Sequence, residues 1–429
     1  MSRQFFLLCF LFITRTHGVS PKSRVRSFPK GFVFGASTSS YQIEGGAFDD
    51  GKGLSIWDVA THLEPSPITD ESTGDVAANS YNLYKRDVEI MKELGLDFYR
   101  VKYWMTINEP KQICYEGYGS DKKAPLVNMT GVGEYLCAKN VLLAHAKAYH
   151  LYDEVYREQQ NGTIGISISF SWYEPASESQ EDHQAAWDAI QFDWGQYANP
   201  IFSKDGDFPT ELKKNIAAKS AEQGFRRSRL PELTAAEVLT IRGSSDFLGL
   251  NTYTTKLAYR DASLEGMYAV PSYMDDMGSV LVKDPSWPQG ESSWLQEVPW
   301  GFYKLLMEVN RLYDNPRIYV TENGWSTAGG LLDEDRIRYL RSYLSALLDA
   351  VEAGCNVRGY SVWSMIDNFE WMAGYKEKFG LYEVDFSSSD RTRTPRKSAF
   401  IYKEIVRSRS LDPHFEPETY IEEIHVVED

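Results

Sequence analysis

The sequence has little of what builds metal centres, disulfide frameworks or multi-domain chains. Its 429 residues include four cysteines and seven histidines, and no pair of them has the spacing of a zinc site. There is no glycine-rich phosphate loop, no internal repeat and no Gly/Ser-rich or Pro-rich linker. We therefore expect no metal, no other cofactor and a single main domain.

Positive charge is also scarce, since the formal net charge is −16. A chain this acidic is unsuited to binding nucleic acid or anionic membrane surfaces, so neither is expected as a partner.

Long apolar runs are absent apart from one at the start, from Phe5 to Ile13. Arg3 precedes this run and small residues follow it near Gly18, a pattern typical of a secretory signal, and the run is too short to span a membrane. We expect 1–19 to be a signal peptide and 20–429 to form one domain. The chain would then be secreted, with no membrane attachment after signal removal.

Two further features bear on export. The sequons at Asn128 and Asn161 predict glycosylation of a secreted chain. Removal of the signal would leave Cys114, Cys137 and Cys355, an odd number, so at least one thiol is unpaired or bonds another chain. A Cys114–Cys137 bridge is one possibility.

Two short runs place a glutamate where a strand meets its loop. They are Trp104-Met105-Thr106-Ile107-Asn108-Glu109-Pro110 and Tyr319-Val320-Thr321-Glu322-Asn323-Gly324. One Glu-Asn-Gly is equally an ordinary turn, but two matching strand ends favour chemistry. Two carboxylates facing one cavity are what cleavage of a glycosidic bond requires, because one protonates the leaving oxygen and the other attacks or stabilises the sugar carbon.

Apolar strand-like segments alternate with helical ones along the chain. Strands are predicted at 32–36, 97–108, 164–169, 247–251, 317–321 and 357–363, and helices at 82–94, 132–159 and 336–352. This alternation is typical of parallel βα units and indicates a (β/α)8 TIM barrel. Six strands are found where eight are needed, and only eight residues separate Arg100 from Glu109, too few for a βα unit of roughly 30 residues.

Several motifs in order resemble the glycoside hydrolase family that contains β-glucosidases, lactase, myrosinases and klotho proteins. They include FVFGASTSSYQIEGG, TINEP, DFLGLNTYT, VTENG, GYSVWSMIDNFEWMAGYKEKFGLYEVDF and TPRKSAFIYKEI. The resemblance implies a secreted β-glycosidase acting on β-glycosides or small oligosaccharides. It also implies retention of configuration through a glycosyl-enzyme, with carboxyl groups about 5–5.5 Å apart.

The resemblance assigns roles residue by residue. Glu109 would be the general acid/base and Glu322 the nucleophile, with Asn108 binding the hydroxyl next to the reacting carbon and Tyr253 donating to the nucleophile. The sugar pocket would be lined by Gln42, Trp363, Glu370, Trp371 and Phe379. Core packing is the alternative role for Trp371 and Phe379. A glutamate in TINEP argues against the myrosinase variant, which lacks that acid.

The chain departs from the family between Tyr99-Arg100 and Val101. The family has its second and third βα units there, including a His-Trp pair that contributes to the sugar site, and none of the seven histidines here precedes a Trp. We expect an incomplete barrel with the two units missing at the Arg100/Val101 seam, and little or no turnover. The alternatives are a catalytically inactive klotho-like binding protein and a non-functional splice or gene-model variant.

Overall fold

A computed structural model describes residues 24–98, 103–261 and 266–417. The predicted signal peptide and the Arg100/Val101 seam lie outside these ranges.

Thirteen strands and thirteen α-helices are assigned within the described residues. The strands are β1 (Arg26–Ser27), β2 (Val33–Ser37), β3 (Tyr103–Asn108), β4 (Thr163–Ser169), β5 (Trp172–Pro175), β6 (Leu248–Asn251), β7 (Thr255–Tyr259), β8 (Val280–Val282), β9 (Ile318–Glu322), β10 (Val357–Trp363), β11 (Tyr382–Val384), β12 (Arg393–Pro395) and β13 (Ser410–Leu411). The helices are α1 (Ser40–Ile43), α2 (Ile56–Thr61), α3 (Ser80–Leu94), α4 (Gly133–Leu151), α5 (Arg157–Gln160), α6 (Gln180–Ile190), α7 (Gln196–Phe202), α8 (Thr210–Glu222), α9 (Ala235–Ile241), α10 (Tyr273–Met277), α11 (Pro299–Leu312), α12 (Glu334–Glu352) and α13 (Lys397–Ser408).

Six strands form one parallel sheet in the order β2-β10-β9-β6-β4-β3. Their side chains and those of the surrounding helices share one hydrophobic core, as expected for βα units packed around a sheet. The predicted strands at 164–169, 247–251, 317–321 and 357–363 are confirmed to within one residue at either end. The chain therefore has the α/β architecture that its pattern predicts.

The helix predictions also hold, and one strand prediction is wrong at its start. The helix expected at 82–94 begins at Ser80 and ends at Gly95, whose φ of +69° suits a glycine stop. Asp97 and Phe98, expected to begin a strand, are not in one. Asp97 nevertheless exchanges two hydrogen bonds with Phe34, through its backbone N–H at 3.0 Å and its carboxylate at 2.7 Å. It lies beside β2 without continuing a ladder within the described residues.

The two outer strands of the sheet, β2 and β3, each pair with one neighbour among the described residues. β3 has no fully buried residue, whereas five of the seven residues of β4 are buried, and Trp104 in β3 is 44% exposed. A barrel strand is normally covered by helices on its outer face. The sheet is therefore a half-barrel, as expected of an incomplete TIM barrel.

Aromatic rings lie inside this open sheet between its two edges. A Cβ added to Gly35 in β2 would come within 2.8 Å of the Phe98 ring. The Phe98 ring centroid is 5.8 Å from that of Tyr103 in β3, which in turn is 5.0 Å from that of Tyr319 in β9. Apolar side chains thus connect β2 to β3 although the two strands are not hydrogen-bonded to each other.

α3, the third helix after β2, carries exposed aromatic and apolar side chains. Tyr81, Tyr84 and Val88 are 46%, 56% and 38% exposed. Their spacing places them along one face of the helix, beside a groove that Met91 and Met365 also line. Such a contiguous apolar stripe is unusual on a surface with no partner.

Ion pairs and a disulfide bond fix the loops around the sheet. Arg396 binds both carboxylate oxygens of Asp367 at 2.9 and 2.8 Å, with both side chains fully buried. The Cys114–Cys137 bridge is confirmed; it joins the π-helical segment Gln112–Tyr118 to α4, and Cys355 is a buried free thiol. Among the described helices, none has the length and hydropathy of a membrane span.

Candidate active site

The carboxyl ends of the parallel strands converge at one edge of the sheet. Asn251 at the end of β6 is in register with Glu322 at the end of β9, and the Glu109 N–H donates to the Ser167 carbonyl of β4 at 2.8 Å. In barrels of this kind, side chains at this edge face the reaction site. The two glutamates predicted from the sequence are therefore brought together from remote parts of the chain.

Glu322 accepts hydrogen bonds on both carboxylate oxygens. The Tyr253 hydroxyl donates to Oε2 at 2.7 Å, and Asn108 Nδ2 donates to Oε1 at 3.2 Å. Donors of this kind stabilise the ionised form. The contact that the resemblance assigns to Tyr253 is present.

The Glu109 carboxylate has one hydrogen-bond donor among the residues that the structure describes, Asn251 Nδ2 at 3.0 Å. Its backbone lies in the left-handed region with φ of +50°, which a residue with a Cβ adopts at a cost of order 1–3 kcal/mol and which is commonest at functional sites. This conformation turns the chain sharply after β3.

Asn251 links the two strand ends, and sequence reasoning missed it. Its Nδ2 also donates to Asn108 Oδ1 at 3.1 Å, while its Oδ1 accepts from Ser167 and Thr321 at 2.8 and 2.6 Å. The sequence does contain a signal for it. Asn251 is a polar residue at the end of the apolar strand in DFLGLN, just as Asn108 is the polar residue that ends β3 before Glu109. All of its hydrogen-bonding groups are used, so its amide orientation is fixed.

Burial raises the pKa of both glutamates. The charge of Glu109 further raises the pKa of Glu322, whereas the nearby Lys123 ammonium lowers that of Glu109. Two close carboxylates do not both ionise readily. The two donors on Glu322 favour its ionised form, so a proton shared by the pair is better placed on Glu109.

A polar pair lies on the far wall of the cavity. Gln42 Nε2 donates to the Phe369 carbonyl at 2.9 Å and approaches Glu370 Oε2 at 3.4 Å. Burial raises the pKa of Glu370 to about 8, an effect that Lys123 opposes. A carboxyl and an amide side by side can bind adjacent sugar hydroxyls as donor and acceptor.

The predicted aromatic residues differ in how they face the cavity. Phe379 and Trp363 are only 1% and 5% exposed, and the Phe379 ring packs against Tyr253 at a centroid distance of 6.3 Å. Trp371 is less buried and packs against Trp57 at 4.7 Å. Core packing and cavity lining are thus combined in the same side chains. All nine predicted catalytic and substrate-binding residues line one cavity of about 410 Å³: Gln42, Asn108, Glu109, Tyr253, Glu322, Trp363, Glu370, Trp371 and Phe379.

The predicted glycosylation sites do not line this cavity. Asn128 and Asn161 are both exposed, so each is accessible, and glycosylation stays a prediction. In the described parts of the chain, no group of three or more His, Cys, Asp and Glu side chains could hold a metal ion.

Comparison with known sequences and structures identifies the family to which the chain belongs. The pattern of glycosyl hydrolase family 1 matches residues 24–101 and 99–411. The chain belongs to glycosyl hydrolase family 1. Myrosinase 1 of Brevicoryne brassicae is 36% identical over 463 positions, covering 88% of this chain and 98% of the relative. The crystal structure of a family 1 β-glucosidase from the fungus Humicola insolens in complex with glucose superposes with a TM-score of 0.80 at 30% identity, covering 89% of this chain and 98% of that one.

Lactase/phlorizin hydrolase of Rattus norvegicus is 37% identical over 472 positions, which cover 90% of this chain but only 24% of that protein. The chain thus spans about a quarter of the length of this relative. Since 90% of 429 residues is about 386, roughly 86 of the 472 positions have no counterpart here, more than the roughly 60 residues of two βα units.

The raised pKa of Glu370 predicts how stability changes with pH. Its ordinary value is 4.5 and its folded value about 8, so between these values the folded chain holds a proton that the unfolded chain has released. The free energy of unfolding therefore falls as pH rises from about 4.5 to about 8, by at most about 1.4 kcal/mol per unit from this group. In Glu370→Gln this contribution is lost, and the melting temperature is expected to fall less across that window.

The matched control is Glu178→Gln, whose side chain is fully exposed. Melting curves from pH 4.5 to 8 are expected to be the same for this variant and the parent. An unchanged pH dependence in Glu370→Gln would contradict the prediction.

Proposed function

We propose that this chain is a retaining β-glycosidase that hydrolyses O-glycosyl bonds of β-glucoside-like substrates. The single observation that carries the proposal is the unequal hydrogen bonding of two glutamates over one cavity. Glu322 accepts two donors and Glu109 one, which separates an ionised nucleophile from a protonated acid.

In the first step a Glu322 oxygen attacks the anomeric carbon while Glu109 transfers its proton to the leaving oxygen. The bond to the leaving group breaks and a glycosyl ester forms on Glu322. In the second step Glu109, now ionised, removes a proton from water, which attacks the same carbon and releases Glu322. Each glutamate returns to its starting protonation state. Two successive inversions at the anomeric carbon leave its configuration unchanged.

The remaining residues hold the sugar. Asn108 donates to Glu322 through Nδ2, which places its amide beside the sugar hydroxyl next to the reacting carbon. Gln42 and Glu370 bind hydroxyls on the opposite side, while Trp363 and Trp371 offer ring faces for the pyranose.

We also infer that the second and third βα units of the family are missing at the Arg100/Val101 seam. Three observations support this: the family pattern matches in two segments that meet at 99–101, β2 and β3 are the outer strands of the sheet, and β3 has no fully buried residue. Gln42 follows β2 and Glu109 follows β3, so the two lie on opposite sides of the opening. A misplacement of about 1 Å can cost roughly a hundredfold in rate, and turnover is therefore low.

A catalytically silent, klotho-like carbohydrate-binding protein is the second candidate function. The exposure of Asn108 in β3 favours this binding function. Water that reaches the site weakens the electrostatic interactions on which catalysis depends. A non-functional splice or gene-model variant would share this feature. Retention of both glutamates favours the enzyme.

Secretion is part of the proposal. The Cys114–Cys137 bridge supports it, since stable disulfides are typical of oxidising compartments. Exposed sequons at Asn128 and Asn161 are compatible with it.

The proposed reaction is tested with an aryl β-glucoside followed by proton NMR. Slow hydrolysis with β-glucose as the first product is expected. First appearance of α-glucose would show inversion and overturn the mechanism. The carbohydrate-binding function is favoured instead if glucose binds but no hydrolysis occurs. That result would have to hold both for the present chain and for a chain that carries the second and third βα units.

Removal of the Tyr253 hydroxyl tests how the nucleophile is stabilised. In Tyr253→Phe, Glu322 loses a 2.7 Å hydrogen bond, and hydrogen bonds to charged groups contribute about 1.5–3 kcal/mol. Covalent labelling by an activated 2-deoxy-2-fluoro-β-glucoside is expected to slow by roughly 10- to 100-fold, with its acidic limb shifted to higher pH. Tyr303→Phe, on α11 and not part of the cavity wall, should label at the parent rate. Equal rates and equal pH profiles for the two variants would contradict the role of Tyr253.

A further inference from the structure

β3, the strand that leads into Glu109, has an irregular pairing just before its end. The register of its pairing with β4 shifts where two residues of β3, Thr106 and Ile107, lie opposite one residue of β4. An extra residue of this kind forms a bulge that bends a strand and redirects the side chains after it, and bulges are common beside active sites. Among the described residues β4 is also the one strand paired with β3. Strand pairing alone therefore fixes the direction of Glu109 weakly.

Thr106, in this bulge, is held by a side chain from a helix. Its hydroxyl donates to the Gly165 carbonyl of β4 at 3.3 Å, and the same oxygen lies 2.6 Å from Nδ1 of His145 in α4. A hydroxyl has one hydrogen and two lone pairs, so it can donate to the carbonyl and accept from the imidazole at once. His145 thus ties the irregular part of β3 to α4.

The environment of His145 makes it a neutral, packed side chain. It is fully buried in the protein, and burial lowers the pKa of its imidazole to about 4. It is not part of the cavity wall, so it does not contact a substrate bound there. Any influence of His145 on the reaction must therefore pass through Thr106 and β3.

α4 is also joined to the chain on the other side of Glu109. The Cys114–Cys137 bridge connects this helix to the π-helical segment Gln112–Tyr118, which begins three residues after Glu109. Thr106 comes three residues before it. One helix thus holds the chain both before and after the proposed acid, whose own backbone is in the left-handed region.

We propose that His145 is a positioning residue for the general acid/base. Through Thr106 it fixes the bulge of β3, and with it the direction in which Glu109 leaves the strand. The inference rests on the proposed glycosidase function and adds to it a residue that does not touch the substrate. Glu109 must reach the leaving oxygen to protonate it, and an error of about 1 Å can cost roughly a hundredfold in rate. Loss of the contact between His145 and Thr106 should therefore slow proton transfer to the leaving group more than attack by Glu322.

Two substrates that differ in their need for the acid separate this role from a general structural one. Phenyl β-glucoside requires protonation of its leaving oxygen, whereas 2,4-dinitrophenyl β-glucoside releases a stable anion without it. Thr106→Val removes the hydroxyl and keeps the size of the side chain. It is expected to lower kcat/KM about tenfold for the phenyl glucoside and less than about twofold for the dinitrophenyl glucoside. His145→Phe should behave in the same way, and Thr106→Ser should restore the parent ratio of the two rates.

His150→Phe is the matched control. His150 is also on α4, but its Nε2 donates to the Thr240 carbonyl at 2.9 Å and not to β3, so this variant should keep the parent ratio. A parent ratio in His145→Phe overturns the proposal, whether the two rates fall together or not at all. A ratio changed in Thr106→Ser as much as in Thr106→Val also overturns it, because the methyl group and not the hydroxyl would then be responsible. If His145→Phe does not fold, Thr106→Val decides.

Hydrogen exchange measures the same contact without turnover. The Glu109 N–H donates to the Ser167 carbonyl of β4 at 2.8 Å. Exchange in the peptide that contains it is expected to be about tenfold faster in Thr106→Val and His145→Phe than in the parent chain, and unchanged in His150→Phe. If the parent chain hydrolyses neither glucoside, the glycosidase proposal fails by itself. Exchange then decides the positioning role, and parent rates in both variants overturn it.

Discussion

Glu322→Gln is expected to abolish covalent labelling by an activated 2-deoxy-2-fluoro-β-glucoside. The parent chain should gain one sugar mass on Glu322, slowly, because the fluorine and the good leaving group allow the glycosyl ester to form but not to break down. An amide in place of the carboxylate cannot attack the anomeric carbon, so the labelling rate should fall by a factor on the order of 10³ or more. Intact-mass and peptide mass spectrometry would measure both the stoichiometry and the site.

Glu174→Gln is a matched control for this substitution. Glu174 is also a glutamate on a strand, β5. Its carboxylate pairs with Lys304 at 2.6 Å, and the residue is not part of the cavity wall. Labelling should proceed at the parent rate in this variant. Label found on Glu109 or any other residue, or retained in Glu322→Gln, would refute the assignment of the nucleophile.

Insertion of the family's second and third βα units between Arg100 and Val101 is expected to raise kcat/KM by at least about a hundredfold. Two added strands would complete the hydrogen bonding of β2 and β3 and fix the strand tilt and shear that set the positions of Gln42 and Glu109. The insert would be taken from a family 1 relative such as Myrosinase 1. Hydrolysis of an aryl β-glucoside and the melting temperature would be compared with those of the present chain.

A linker of the same length made of glycine and serine separates restored geometry from added length. It supplies no strand for β2 or β3 and should raise neither activity nor melting temperature. An aryl-glucosidase activity of the present chain equal to that of the extended one would overturn the proposal that the opening impairs catalysis.

The strand ends were predictable because local chemistry determines them. In Trp104–Pro110 and Tyr319–Gly324, a β-prone run ends in Asn and Glu before a residue that stops the strand, and the structure places β3 and β9 there. The helix at Ser80–Leu94 ended at its glycine for the same reason. By contrast, Asp97 and Phe98 were expected to begin a strand and are not in one. Local pattern could not decide this, since a strand is defined by the partner it pairs with.

Asn251 was not predicted, although it is plain in the sequence. The importance of Asn251 depends on Asn108 and Glu109, more than 140 positions earlier in the chain, and on Thr321, 70 positions later. Such relations follow from strand order and register, which pair residues that no sequence window contains.

The sequence by itself indicated the family and, through that resemblance, nine residues around the cavity, the two glutamates among them, because the motifs that carry the resemblance are local. Only the tertiary structure decided which glutamate has more donors, how Asn251 links the strand ends, and that β3 is an outer strand of the sheet as described. Hydrogen bonds and ion pairs are made at distances near 3 Å, and those distances are set by how strands from remote parts of the chain align.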